Sequence, residues 1–332
     1  MNDSLPHPGM DAAPARGVNP FARIVVGYDE SPASVGALEN ALAYATDYGG
    51  DVVVVHVSGV PPAASVRLET ATLTPGTDPR PVLESVGPQN HCLYERLRPR
   101  IADRGVSVTL EFCWNEPAAG ILDAAVRWKA SAIAVGTHGR KALPHAFLGS
   151  VAEAVVQQAR VPVVVARDFM PGRMLRRVAV GVDPNEPVAA AVTFAVSLAA
   201  IRAVRLVLCT VIDTASLMSP SAHMPFDPTP LAHQMRAAAR DALDAAVLTV
   251  RADEAFTATE VAAAREPAAG LVEIARRQLA DAIVVGAHQR RGVARLMLGS
   301  TAETLMRISE VPVIIVPSDG SRAVSRDHGS SR

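Results

Sequence analysis

A long internal duplication is the sequence feature that most constrains the fold of this chain. Residues 116–166 align without a gap with residues 266–316, and 22 of these 51 positions are identical. The segment 24–29 also matches 178–183, at an offset of 154 residues. Solenoid repeats span roughly 20–50 residues, so a repeat of this length indicates whole domains. We place domain 1 at 21–167 and domain 2 at 175–317, with disordered tails at 1–20 and 318–332.

The composition narrows the class of protein. Apolar residues make up 49% of the 332 residues but aromatic residues only 4%, so the cores must consist of Val, Ile, Leu and Ala. A net charge of −1 gives no reason to expect nucleic acid as a partner. Apolar runs stay below the roughly 18 residues that a membrane span needs. The three scattered cysteines, Cys92, Cys113 and Cys209, favour packing roles and a reducing cytoplasm.

Each half alternates apolar, β-branched runs with helical segments. Strands are expected at 23–28, 51–57, 106–113, 131–136 and 161–166, and again near 177–182, 204–211, 256–263, 281–286 and 311–316. Long loops are expected at 58–87 and 213–229. This alternation predicts an α/β fold of two tandem doubly wound, Rossmann-like domains, each with a five-stranded parallel sheet covered on both faces.

The polar ends of two strands suggest where a ligand binds. In doubly wound folds, ligands bind beyond the carboxyl ends of the strands, where the strand order reverses. The first strand ends at Gly27-Tyr28-Asp29, and Ser31-Pro32 then begins a helix with Ser31 as N-cap. The fourth strand ends in the loop 136–140. If the first and fourth strands are neighbours, these two loops face each other across one crevice.

The glycines after the fourth strand have the composition of a phosphate-binding loop. Gly136 and Gly139 follow the strand, and Gly149 precedes a helix that begins at Ser150. Glycine lets the backbone approach an anion, which the N–H groups of a helix start then bind. An ordinary strand-to-helix connection with glycine at its turns explains the same pattern.

Other polar residues near this crevice have two interpretations each. The carboxylate of Asp29 suits a ribose hydroxyl or a phosphate-bound Mg²⁺, but it equally suits the shaping of a turn or the capping of the next helix. Arg140, which recurs as Arg290, is either near phosphates or a solvated loop charge. His138 and His288 also recur, but they lack partners at metal-ligand spacing, so we interpret them as crevice-wall residues.

Catalytic signatures are absent from the sequence. It contains no Gly-x-Ser-x-Gly elbow, no Gly-x-x-x-x-Gly-Lys-Ser/Thr loop and no Gly-x-Gly-x-x-Gly after the first strand. A nucleotide crevice without an evident base or nucleophile favours sensing over turnover.

These motifs together resemble the universal stress protein (UspA) family, over roughly 21–167 and 175–317. ATP-binding members carry Gly, two residues, Gly, nine residues and then Gly-Ser/Thr, and the spacing from Gly136 to Ser150 matches in full. The resemblance implies that ATP, with Mg²⁺, is the ligand. It implies that Asp29 contacts the ribose or metal, that the backbone near Val57 contacts adenine, and that Gly136, Gly139, Gly149 and Ser150 hold the phosphates.

The second copy departs from the motif. Asp183, Gly286, Gly299 and Ser300 remain as a weaker second site, but Gln289 replaces the middle glycine. A Cβ atom disfavours a loop that needs close approach or positive φ. Asp183 is also followed by a proline, Pro184, where the first copy has Glu30. We therefore expect ATP in domain 1 and weak or no binding in domain 2.

The last strand of each half carries an expectation about assembly. In the family, the last strands of two domains pair to form a dimer. Here the strands at 161–165 and 311–316 could pair within one chain, which leaves other surfaces for a homodimer.

Three functions remain open at this point. The first is an ATP-binding regulator of a stress response, supported by the spacing at 136–150. The second is a nucleotide-independent scaffold that binds other proteins, supported by the altered loop at 286–300. The third is a related nucleotidyltransferase or ATP pyrophosphatase, whose His-x-Gly-His or Ser-Gly-Gly-x-Asp-Ser signatures do not occur here. Slow ATP hydrolysis also stays open, without a residue to name as its base.

Overall fold

A computed structural model gives the arrangement of most of the chain. The described residues are 19–59, 68–84, 87–102, 104–138, 148–167, 173–184, 190–215, 229–251, 257–287 and 298–317. The tails predicted at 1–20 and 318–332 therefore lie almost wholly outside this set. The exceptions are Asn19 and Pro20, and the Asn19 side chain donates a hydrogen bond to the carbonyl of Tyr48 (2.8 Å), which ties that point to domain 1.

Strands and helices alternate in both domains. The strands of domain 1 are β1 (Arg23–Gly27), β2 (Asp51–Ser58), β3 (Glu69–Leu73), β4 (Val108–Trp114), β5 (Ala132–Gly136) and β6 (Val163–Ala166). Its helices are α1 (Pro32–Tyr48), α2 (Arg80–Glu84), α3 (Pro88–Ile101), α4 (Pro117–Arg127) and α5 (Ser150–Gln158). The strands of domain 2 are β7 (Arg177–Gly181), β8 (Arg205–Asp213), β9 (Thr257–Ala264), β10 (Ala282–Ala287) and β11 (Val313–Pro317). Its helices are α6 (Ala190–Ile201), α7 (Thr229–Arg251), α8 (Pro267–Arg277) and α9 (Ser300–Ile308).

The described strands form one sheet in the order β3-β4-β2-β1-β5-β6-β11-β10-β7-β8-β9. Within each domain the five predicted strands are parallel, and apolar clusters cover both faces of the sheet. The predicted α/β, doubly wound class is confirmed. In domain 1 the chain moves outward from β1 through β2 to β4 and then returns to the other side of β1, where β5 pairs with it. The strand order thus reverses between β1 and β5, as the crevice prediction required.

The prediction of a structureless loop over 58–87 was wrong. Residues 69–73 form β3, which pairs antiparallel with β4, and 80–84 form α2. The segment Glu-Thr-Ala-Thr-Leu alternates polar and apolar residues, and it buries Ala71 against the sheet. Surrounding Pro, Thr and Gly obscured this short signal, and domain 1 consequently has a sixth strand. The ends of the other predicted loop, 213–229, belong to β8 and α7, while 216–228 lie outside the described residues.

Helix α1 connects the crevice to the domain interface. It begins as predicted, with the Ser31 hydroxyl as N-cap accepting from the Ser34 N–H (3.2 Å) and Pro32 in the first turn. It ends at Gly49, which has the left-handed φ of 69° that glycine adopts without strain. Phe21 packs against Tyr44 of this helix and, edge to face at 6.0 Å, against Phe194 of α6 in domain 2.

The two domains are also joined strand to strand. β6 pairs antiparallel with β11, with Val163 opposite Ile315 and Val165 opposite Val313. This is the pairing within one chain that the sequence predicted. One buried core cluster contains residues of both domains, so the interface is part of the core. In the part of the chain that the structure describes, no helix combines the length and the hydropathy needed to cross a membrane.

Candidate functional site

The loop that follows β1 is organised around Asp29. The Tyr28 N–H donates to the Val55 carbonyl (3.0 Å), which continues the sheet one residue past β1. Asp29 Oδ1 accepts from the Ser31 N–H at 3.0 Å and from the Ser31 hydroxyl at 2.6 Å. The turn-shaping interpretation of Asp29 is therefore observed directly. Because a carboxylate accepts several hydrogen bonds, this role is compatible with a ligand role.

Ser31 links the two loops of the crevice. Its hydroxyl lies 3.0 Å from the carbonyl of His138, the residue that follows β5 by two positions. Both Ser31 and Thr137 are almost fully buried. The crevice wall is thus a single hydrogen-bonded unit. The sequence indicates Ser31 as a helix cap but gives no sign of this second contact.

Gly136 sits where the backbone of α1 meets β5. A Cβ atom at this position would lie 2.5 Å from the carbonyl carbon of Ala33 and 2.6 Å from the nitrogen of Ser34. Backbone atoms cannot move aside as a side-chain tip can, so glycine is required for this close approach. The start of α1 and the end of β5 are consequently held against each other, and Asp29 is held near the loop after β5.

The start of α5 completes the crevice. The Gly149 N–H donates to the Thr137 carbonyl at 2.7 Å, which brings the helix start against the end of β5. Gly149 is the N-cap and Ser150 the first helical residue, and Gly149 has no side chain to cap the N–H groups of the first turn. Such a helix start offers N–H groups and a partial positive charge to an anion.

β2 extends past the end of β1, on the side of the sheet where the carboxyl ends of the parallel strands lie. The ladder between them ends at the pair Gly27 and Val55, whereas β2 continues through Val57. The backbone at Val57 therefore lies beyond the carboxyl end of β1. The Val57 side chain lies on the opposite face of the sheet from His56 and packs near Gly120, since a Cβ added to Gly120 would lie 2.9 Å from a Val57 methyl group.

The imidazole of His56 is fixed by the backbone of the Asp29 loop. Its Nδ1 lies 2.9 Å from the Tyr28 carbonyl, and since a carbonyl only accepts, that nitrogen carries the proton.

Two of the predicted residues lie outside the described part of the chain. These are Gly139 and Arg140, in the segment 139–147. His288, Gln289 and Arg290 of the second copy are outside it as well. The structure thus brings together Asp29, Val57, Gly136, Gly149 and Ser150 at one edge of the sheet.

The second copy reproduces the frame of the crevice. Asp183 follows β7, Gly286 lies near the end of β10, and Gly299 and Ser300 are the N-cap and first residue of α9. The Thr210 hydroxyl donates to the Val182 carbonyl (2.8 Å), the contact that His56 makes in domain 1.

The two copies also differ in backbone conformation at the residue that follows Asp29 and Asp183. Glu30 has a left-handed φ of 67°, and its side chain forms an ion pair with Arg96 of α3 (2.7 Å). At the equivalent position domain 2 has Pro184, whose ring fixes φ at about −65°. Proline cannot adopt the φ of Glu30, so the backbone at Pro184 differs from the backbone at Glu30. The sequence showed the substitution, but only the positive φ of Glu30 shows its consequence.

The two cysteines in the strands, Cys113 and Cys209, are buried and unreactive. Burial, together with the charge of Glu111, raises the pKa of Cys113 to about 11. Burial, together with the charge of Glu260, raises the pKa of Cys209 to about 12. Both thiols are therefore protonated near neutral pH and act as apolar packing groups. In the described segments no group of three or more His, Cys, Asp or Glu side chains has the arrangement of a metal site.

Fold and crevice together define a two-domain α/β protein with one continuous sheet, in which a polar crevice lies where the strand order of domain 1 reverses and its frame recurs in domain 2. Comparison with known families agrees with this class: the model of the Universal stress protein family matches residues 20–167 and again residues 174–317. The chain therefore belongs to the universal stress protein family.

Individual members of the family match the sequence of this chain at moderate identity. A universal stress protein of Methanocaldococcus jannaschii is 27% identical over 151 residues, which cover 46% of this chain and 85% of the relative. One from Mycobacterium tuberculosis is 32% identical over 151 residues, or 45% of this chain and 44% of that protein. A second from the same species is 27% identical over 228 residues, or 64% of this chain and 70% of that protein.

Solved structures match most of this chain, across both domains. A universal stress protein from Archaeoglobus fulgidus superposes with a TM-score of 0.59 and 20% identity. The match covers 90% of this chain and 99% of that one. At this identity the likeness concerns the fold alone.

Proposed function

We propose that domain 1 binds ATP, with Mg²⁺ on its phosphates, in the crevice between β1 and β5. We further propose that the chain acts in the cytoplasm as a regulator of a stress response, through nucleotide-dependent conformation or partner binding. The observation that carries this proposal is the Ser31 hydroxyl, which joins the Asp29 loop to the loop after β5. Both loops that would contact a nucleotide are thus parts of one unit.

Each element of the crevice suits one part of the nucleotide. The start of α5, at Gly149 and Ser150, suits the phosphates because its N–H groups favour negative charge. The carboxylate of Asp29 suits a ribose hydroxyl or the magnesium ion. The backbone of Val57, beyond the end of β1, suits the edge of the adenine. Gly139 and Arg140 would add phosphate contacts, as the spacing of the motif implies.

The Ser31 hydroxyl supports a conformational response. It has one hydrogen but two acceptors within reach, Asp29 Oδ1 at 2.6 Å and the His138 carbonyl at 3.0 Å. A ligand hydroxyl or cation at Asp29 would compete for that carboxylate, and the Ser31 hydrogen could then turn to His138. Occupancy would therefore change how tightly the loop after β5 is held. This is the behaviour of a sensor, and it requires no catalytic base.

Domain 2 suits a structural role better than a second nucleotide site. Pro184 excludes the backbone geometry of Glu30, and Gln289 replaces the middle glycine of the motif. These two changes affect both loops that would surround a nucleotide. They favour the scaffold function for this half of the chain.

Calorimetric titration of Mg-ATP into the nucleotide-stripped chain tests the proposal. We expect one site per chain. Gly139→Gln, which copies the second domain, should abolish it, and Asp29→Asn should weaken it at least tenfold. The matched variants Gln289→Ala and Asp183→Asn should leave the affinity unchanged. Two equivalent sites, or equal losses from Asp29→Asn and Asp183→Asn, would contradict the assignment to domain 1. If the parent chain does not bind ATP, the scaffold function applies to both halves.

A further inference from the structure

The strand β9 ends the sheet on the side of domain 2. It pairs with β8 over its full length, from Thr257 opposite Leu206 to Ala264 opposite Asp213. Among the described strands it has no second neighbour, because the sheet order stops at β9. An edge of this kind presents a row of backbone N–H and C=O groups to other chains.

The residues that present these groups can be identified. The Thr214 N–H donates to the Ala264 carbonyl (2.9 Å), so the backbone of Ala264 faces β8. The two hydrogen-bonding groups of a strand residue point to the same side, and consecutive residues alternate. Thr259, Val261 and Ala263 therefore direct their N–H and C=O groups away from the sheet.

In domain 1, the strand equivalent to β9 has its outer edge paired with a further strand. Glu111 of β4 lies opposite Val55 and accepts from Arg127, and Glu260 of β9 lies opposite Cys209 and accepts from Arg277, so β4 and β9 are equivalent strands. The outer edge of β4 is paired with the antiparallel strand β3. The segment that supplies β3, between β2 and α3, spans 59–87, whereas the one between β8 and α7 spans only 214–228. The second repeat thus has about half the chain length for a covering strand of its own.

The sequence of β9 lacks the features that usually prevent an edge strand from pairing with another chain. Natural edge strands are usually interrupted by Lys, Pro or a bulge, but Thr257–Ala264 contains no Lys, Arg, Pro or Gly. Its single charge, Glu260, is engaged by Arg277 and Gln278 of the same domain. Val261 is 39% exposed, and Leu248 of α7, the helix that packs against β8 and β9, is 70% exposed.

We propose that β9 is a homodimer interface, in which two copies of the chain pair their β9 strands antiparallel about a two-fold axis at Val261. A two-fold interface requires a self-complementary strand, and this register satisfies that requirement. It places Val261 opposite Val261 of the second copy and Glu260 opposite Ala262. Placing Thr259 opposite Val261 would instead set the two Glu260 carboxylates against each other. Charge therefore selects the register, and the two sheets become continuous across the dimer.

Sedimentation equilibrium of the full chain tests the interface. We expect the parent to be a dimer at micromolar concentration. Val261→Pro removes an outward N–H but no bond to β8, and proline is tolerated on edge strands at such positions. This variant should be monomeric, and Val261→Lys should weaken the dimer at least tenfold by placing two like charges together. The control Val261→Thr keeps the N–H and the β-branched shape and should remain dimeric.

Circular dichroism of each variant shows whether it is folded, and Val261→Lys keeps the test valid if Val261→Pro does not fold. Hydrogen exchange gives a second measurement, because the amides of Thr259 and Val261 should lose protection in Val261→Lys. A monomeric parent would overturn the proposal and would indicate that residues 214–228 cover the edge. A dimer that persists in both Val261→Lys and Val261→Pro would overturn it as well.

Discussion

Val164 of β6 lies opposite Ile314 of β11, and both side chains are completely buried in a cluster that contains residues of both domains. The two repeats therefore share a core, and neither can unfold without exposing the other. We expect the chain to unfold in a single cooperative transition, with equal calorimetric and van't Hoff enthalpies. Val164→Lys should separate the transition into two, because it places an unpaired charge in the shared core. Two transitions in the parent chain, measured by differential scanning calorimetry, would show that the domains are independent.

The glycines Gly136 and Gly27 should respond differently to alanine. A Cβ at Gly136 meets backbone atoms of α1 at 2.5 Å, so Gly136→Ala must move that helix and should cost about 1–3 kcal/mol of stability. A Cβ at Gly27 meets the Cδ1 atom of Ile121 at 2.5 Å, the end of a flexible side chain, so Gly27→Ala should cost less. Urea unfolding of the two variants measures the difference. Equal losses would mean that the contact between α1 and β5 is not what requires Gly136.

The equivalent carboxylates Glu111 and Glu260 provide a second matched pair. Glu111 is fully buried, and it accepts from Arg127 (2.7 Å) and from the indole of Trp128. Glu260 accepts from Arg277 and Gln278, but its side chain is 19% exposed. Glu111→Ala should cost about 2 kcal/mol because it removes two charge-assisted hydrogen bonds at a fully buried carboxylate. Glu260→Ala should cost about 1 kcal/mol or less, because water can replace the lost contacts. Glu111→Gln should recover part of the loss, and chemical denaturation of the three variants measures these effects.

The buried thiols should make the fold sensitive to alkaline pH. Burial raises the pKa of Cys113 to about 11 and of Cys209 to about 12, above the ordinary value of 9.0. Burial also raises the pKa of the Tyr44 and Tyr48 hydroxyls. The folded chain keeps these protons while the unfolded chain releases them, so stability is full below pH 9 and declines as the pH rises toward 11–12.

Denaturant unfolding at about pH 8 and about pH 10.5 measures that decline. Cys209→Ala removes one of the groups responsible, so the difference between the two pH values should become smaller in this variant. An equal or larger difference would assign the alkaline sensitivity to other groups.

Much of the fold follows from local sequence signals. Continuous runs such as Val52–Val55 predict buried parallel strands, and Ser31-Pro32 predicts a helix start, since both depend on neighbouring residues alone. The antiparallel strand β3 was missed because its five residues gain stability only from β4, far away in sequence. Local pattern does not report such pairing.

The candidate site was predictable in its parts but not in its connections. Asp29 and Gly136 stand out in the sequence because each lies at the end of a buried strand, and Gly149 stands out because it precedes a helix. The contact between the Ser31 hydroxyl and the His138 carbonyl spans 107 positions, and a carbonyl carries no sequence signature. The left-handed φ of Glu30 was equally hidden, because a non-glycine residue gives no sign that it adopts this conformation. Of these two features, the left-handed φ of Glu30 is one that Pro184 of the second copy cannot reproduce.

The pairing of β6 with β11 within one polypeptide has a consequence for how the two crevices can evolve. In a dimer of identical single-domain chains, every substitution appears in both crevices at once. Here Pro184 and Gln289 occur in one half only, while the shared strands keep the halves together. One polypeptide can therefore carry the full glycine motif in one half and a changed motif in the other, an asymmetry that a dimer of identical chains cannot have.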